Sequence, residues 1–99
     1  MERGSGEAQA GRVAQAYLAE GRELEALDFL AQAGDQEGLA GLRQSAIAAG
    51  DLFLLKAVAQ FVEEKPQRQD WETLAAAAEA AGKLGYAEDA RRQAERGEE

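Results

Sequence analysis

The chain has 99 residues, 45% of them apolar, a net charge of −8, and neither cysteine nor histidine. That length fits one domain with one modest core. The missing Cys and His exclude disulfides, thiolate and imidazole metal sites, cysteine nucleophiles and histidine general bases, and the acidic balance argues against nucleic acid and anionic membrane as partners.

Residues 1–7 are polar and glycine-rich and read as a flexible tail ahead of a single helical domain over 8–99. No signal-type apolar segment opens the chain. No run of about 18 uncharged apolar residues exists to span a membrane. A cytoplasmic location is the expectation that follows.

Beyond the tail, helical apolar spacing alternates with stops at Gly21, Gly34, Gly50, Pro66 and Gly82. The spacing predicts six helices, over 8–20, 23–33, 36–49, 51–64, 67–81 and 84–96. Asp35 and Asp51 each follow a stop and suit the N-cap of the next helix. In the second helix Leu24, Leu27 and Leu30 recur at helical spacing, and in the third Leu39, Leu42, Ala46 and Ala49 do. The fourth segment is apolar on nearly every side: Leu52, Phe53, Leu54, Leu55, Val58, Phe61 and Val62. Such a helix is buried or covered by a partner. Its reading as a central core helix therefore stands beside a second one, in which Leu52 and Phe53 form an exposed patch for self-association. The last helix is polar on most faces and suits an outer cap. No sustained alternation marks a strand.

Gly21, Gly50 and Gly82, spaced by 29 and 32 residues (21 to 50, 50 to 82), share a register. Eight residues before them stand Val13, Leu42 and Leu74, and four before them Tyr17, Ala46 and Ala78. Five after them come Ala26, Leu55 and Ala87, and twelve after them Ala33, Val62 and Ala94. Each unit is thus a helix A, a glycine turn and a helix B. A single hairpin cannot bury both its apolar faces, so neighbours must stack.

In Trp71, Leu74, Ala78, Gly82, Ala87 and Ala94, and in Tyr17, Gly21, Ala26, Leu30 and Ala33, the chain resembles the tetratricopeptide-repeat family. The resemblance covers residues 8–96. It departs from the family in its spacing, shorter than the usual length of about 34 residues. It departs also in Ala10 where the first Trp would stand, in Arg43 in place of a small residue, and in Leu55 where a small residue is usual. The fold expected is all-α: three stacked antiparallel hairpins forming a right-handed α-solenoid.

Several residues invite a chemical reading. Trp71 could anchor a ligand or pack helix A of the third unit, and Tyr17 poses the same choice; the resemblance implies packing for Trp71. Glu63 with Glu64 and Glu88 with Asp89 are adjacent acids. Neighbours on a helix point about 100° apart, so these pairs cannot face each other across a cleft as acid/base catalysis needs. Arg91, Arg92 and Arg96 lie within helical reach of Glu88, Asp89 and Glu95 and read as intrahelical pairs. No calcium-loop or phosphate-loop motif is present. No catalytic residue, metal site or cofactor is expected.

The function expected is a non-catalytic scaffold that binds a peptide or helix of a protein partner. The resemblance implies a concave face lined by the A helices, with Gln15, Leu18, Gln44, Ile47, Glu72 and Glu79 turned outward to the partner. Such a face suits a basic or apolar segment. The alternative is a structural protein that self-assembles, as a homo-oligomer or as one piece of a larger α-solenoid.

Overall fold

In the computed structural model, which describes residues 3–96, the chain forms six helices and no strand over the described residues. They are α1 (Arg3–Ala19), α2 (Glu23–Ala33), α3 (Gln36–Ala49), α4 (Leu52–Ala59), α5 (Arg68–Ala80) and α6 (Leu84–Arg96). Helices α2, α3 and α6 span the expected residues, and α5 does so to within one residue at each end. Helix α1 begins earlier than expected, at Arg3, so residues 3–7 are helical although Gly4 and Gly6 each cost a helix about 1 kcal/mol against alanine. Met1 and Glu2, the rest of the expected tail, lie outside the described residues.

The punctuation is local chemistry. Gly21, Gly34, Gly50 and Gly82 all take positive φ, between 67° and 81°. The Asp35 carboxylate accepts the Gly38 N–H at 2.9 Å, and Asp51 accepts the Leu54 N–H at 3.1 Å, so both act as N-caps. At the start of α5 the Gln67 backbone N–H donates to Asp70 at 2.9 Å.

Helix α4 is shorter than expected and stops at Ala59. The apolar pattern does continue to Val62, which is buried, but the chain leaves the helical path to put it there. Three contacts hold the departing strand of chain. The Glu63 N–H donates to the Gln36 side chain at 2.9 Å, Arg43 Nη1 donates to the Glu64 carbonyl at 2.7 Å, and Lys65 Nζ donates to the Ala59 carbonyl at 2.6 Å. Arg43, a departure from the repeat pattern, is therefore a strap from α3 onto the α4–α5 connection.

Sequential helices pair as α1–α2, α3–α4 and α5–α6, and the middle hairpin touches both others. The two junctions differ. Helix α2 packs on α3 and α4, whereas α3 packs on α5 and α4 on α6. The core is wholly apolar among the described residues. Its fully buried large side chains are Leu30, Leu39, Leu54, Leu55, Val58 and Leu74. Burying each is worth roughly 1.5–3 kcal/mol. Trp71 belongs to this core, which resolves its reading in favour of packing. The outer hairpins use alanine where their helices face one another: Ala14 and Ala26 in the first, Ala78, Ala87, Ala90 and Ala94 in the third.

Gly50 does more than end α3. A Cβ there would lie 2.5 Å from the Ala78 backbone nitrogen and 2.7 Å from its Cα, so the end of α3 rests directly on the backbone of α5. At Gly82 a Cβ would meet nothing within 4 Å. Gly82→Ala is expected to cost only the left-handed strain, about 1 kcal/mol. Gly50→Ala adds a backbone collision and is expected to cost about 2–4 kcal/mol. Urea denaturation of the two variants separates them; equal losses would mean that α3 does not seat on α5.

Candidate functional site

The six residues expected on one outward A-helix face do not share a surface. Ile47 is 6% exposed and lies in the core, because α3 is covered by α2, α4 and α5 and its buried arc widens from Leu39, Leu42 and Ala46 to include it. Leu18 is half-buried and packs against the core. Gln15 and Gln44 are exposed on α1 and α3. Glu72 and Glu79 are exposed too, but on the flank of α5 beside α6: Glu72 pairs with Arg68 at 3.0 Å, and Glu79 with Arg91 of α6 at 2.7 Å. Arg91 thus reaches across the hairpin rather than along its own helix, while Arg92 pairs with Asp89 as the spacing suggested.

Of the five large exposed apolar side chains among the described residues, Phe61 lies in the α4–α5 connection and the other four lie at the A-to-B turns. The three A-to-B turns put the N-termini of α2, α4 and α6 on one edge of the molecule. In the first turns of those helices stand Leu24 (45% exposed), Phe53 (60%), Leu84 (62%) and Tyr86. Two open depressions follow this edge and meet at Asp51. One, of about 540 Å³, is lined by Asp51 and by residues 82–86. The other, of about 320 Å³, is lined by residues 21–25, Asp51 and Leu54. The start of the fourth helix therefore divides between the two readings of the sequence: Leu52 is buried, and Phe53 stands out. Sequence periodicity could not separate them in a helix apolar all round. The signal that could have done so is the position three residues after the turn glycine, which holds Leu24 and Phe53 in the first two units.

Charge along this edge is mixed and mostly paired. Arg22 bonds Glu20 and Glu25, each at 3.3 Å, and its guanidinium lies 4.9 Å from the Tyr17 ring centre. The hydrogen bonds to Glu20, and then to Glu25, raise the Arg22 pKa above its ordinary value. Glu23 accepts the Ser45 hydroxyl at 2.7 Å, which ties α2 to α3. Lys83 lies 5.8 Å from the Tyr86 ring centre. The result is a set of exposed apolar side chains interspersed with ion pairs and carboxylates. Among the described residues no helix is long and apolar enough to cross a membrane.

The edge and the core make opposite demands on neighbouring residues. Phe53→Ser is expected to change stability by no more than about 0.5 kcal/mol, because an exposed side chain outside any structural feature contributes little. Leu55→Ala, two residues on and fully buried, is expected to cost about 2–5 kcal/mol. Thermal melts of the two variants test the assignment. No protein-family model, curated protein or solved structure matches the chain.

Proposed function

We propose that the chain is a non-catalytic protein-interaction module that takes a partner's helix along the edge formed by its A-to-B turns. The observation that carries this is the concentration of Leu24, Phe53, Leu84 and Tyr86 on that edge, while the core keeps its own apolar residues covered. Contiguous apolar surface rimmed by charge is the usual sign of a docking site. Tetratricopeptide-like stacking of the hairpins, with the turns in register, is the architecture this reading assumes. The shared register of Gly21, Gly50 and Gly82 and the pairing of helices into hairpins both support it.

The partner's chemistry follows from the rim. Carboxylates outnumber cations around the row (Glu20, Glu23, Glu25 and Asp51 against Arg22 and Lys83), and the whole chain carries −8. An amphipathic helix with apolar and basic side chains meets both demands. An acidic segment meets repulsion, and at an effective dielectric near 20 a like-charge contact at 4 Å costs on the order of 4 kcal/mol before screening.

Calorimetric titration of a basic and an acidic amphipathic peptide is the test. The basic peptide is expected to bind, with affinity falling as salt rises. Phe53→Ser combined with Leu84→Ser is expected to weaken it by about tenfold or more, as loss of central apolar anchors does. Tight binding of the acidic peptide, or binding indifferent to the double variant, would remove the partner from this edge.

A further inference from the structure

The exposed apolar side chains of the turn edge stand apart from one another, one group to each hairpin, in a shared register. Leu24 and Phe53 each lie three residues past their turn glycine; in the third hairpin Gly85 holds that position, and Leu84 and Tyr86 flank it. Helix α4 contacts both α2 and α6, so the three groups follow one another in the order of those helices. Packed helices lie about 10 Å apart axis to axis, which sets the step from one group to the next. Between the groups lie the two depressions, and Asp51 lines both. Together they carry the carboxylates of Glu23, Glu25 and Asp51 against Arg22 and Lys83. The Arg22 guanidinium is already engaged by Glu20 and Glu25.

We propose that the turn edge selects a partner helix whose apolar side chains recur about every seven residues, with basic side chains midway between them. This rests on the reading of that edge as a docking site and adds the pattern the partner must carry. The step between groups decides the conformation. On a helix, residues seven apart are separated by about 10.5 Å and face the same way to within about 20°. On an extended strand, same-face residues recur about every 6.7 Å, so no pair matches a step of about 10 Å. A polyproline II segment does match, at about 9.3 Å for three residues, but it presents nothing on that face between its anchors. A helix does: the residue three or four along lies on the same face, about 5 Å further on, where each depression opens. With carboxylates in excess there, a lysine or arginine is the side chain that complements it. Reaching from the first group to the third takes about 20 Å of helix, or about 14 residues.

Fluorescence anisotropy of labelled synthetic peptides with the full chain tests the pattern. The first peptide is a helix of about 18 residues with leucines about seven apart and an arginine midway in each gap. A second has the same composition with the leucines moved to different faces of the helix. A third carries a proline on the far face of each gap, which breaks the helix. The first is expected to bind at least tenfold more tightly than either of the others. Phe53→Ser is expected to weaken it about tenfold, and to add little once the peptide's central leucine is serine, because those two side chains meet. Phe53 is exposed, so the variant keeps the fold. Glutamine in place of both arginines is expected to weaken binding severalfold; no change would overturn the part assigned to the carboxylates. Equal binding of the first two peptides, both weakened by Phe53→Ser, would overturn the spacing and leave the edge as a docking site. Undiminished binding of the proline peptide would overturn the helix. Failure of every peptide to bind, or binding indifferent to Phe53→Ser, would overturn the docking reading and the pattern with it.

Discussion

The seat of Gly50 on the backbone of α5 sets the relation between the second and third hairpins. No side chain intervenes there: the turn that ends α3 meets Ala77 and Ala78 at backbone distance. Such contacts tolerate little change, because any side chain added between the two backbones would force them apart. With α3 fixed on α5, Trp71 and Leu74 are directed into the same core as Leu42 and Leu55. The salt bridge from Lys56 to Asp89, at 3.6 Å, then bridges the B helices on the outside. Its side chains are partly solvated, so it contributes little beyond about 1 kcal/mol. The apolar contact does the positioning and the ion pair follows it.

Much of this architecture was legible in the sequence because it is punctuated locally. A glycine with positive φ, an aspartate cap and an alanine at the helix crossing each act within a few residues, so their spacing exposes six helices and a repeat. The faces were less legible. Ile47 and Ala48 are adjacent apolar residues of α3, and only the number of helices around α3 decides that Ile47 is buried and Ala48 exposed. Leu52 and Phe53 pose the same problem in a helix without a polar side. The early end of α4 was invisible for another reason. It depends on Gln36 and Arg43, more than twenty residues away, catching the backbone of Glu63 and Glu64.

The turn glycines take positive φ and Trp71 packs in the core, the role that the resemblance to tetratricopeptide repeats implied for it. The resemblance also implied an outward face common to the A helices, and that face is not what the chain builds, since Glu72 and Glu79 sit on the flank beside α6 and Ile47 lies inside. Arg43 belongs to the same lesson. As a substitution in a repeat pattern it looks like decay, yet its guanidinium bonds the Glu64 carbonyl and holds the connection between the second and third hairpins.

The distribution of large and small side chains explains why the two ends of the molecule behave differently. The middle hairpin carries Leu39, Leu42, Leu54, Leu55 and Val58, and so supplies most of the buried volume. Helix α1 buries only Ala10 and Ala14 among its described residues and packs chiefly on α2. Two alanines remove little apolar area from water, so α1 is held mainly by close backbone approach and by the Tyr17–Phe29 stack. In a series of hairpins, stability is the sum of each unit's own packing and its contacts with neighbours. The third hairpin has a second set of contacts through α3 and a flank of ion pairs that water can solvate. The first hairpin meets the middle one chiefly through α2, and its ion pairs, from Arg22 to Glu20 and Glu25, cluster at its turn; with only Ala10 and Ala14 buried on α1, it adds least buried apolar area to the series.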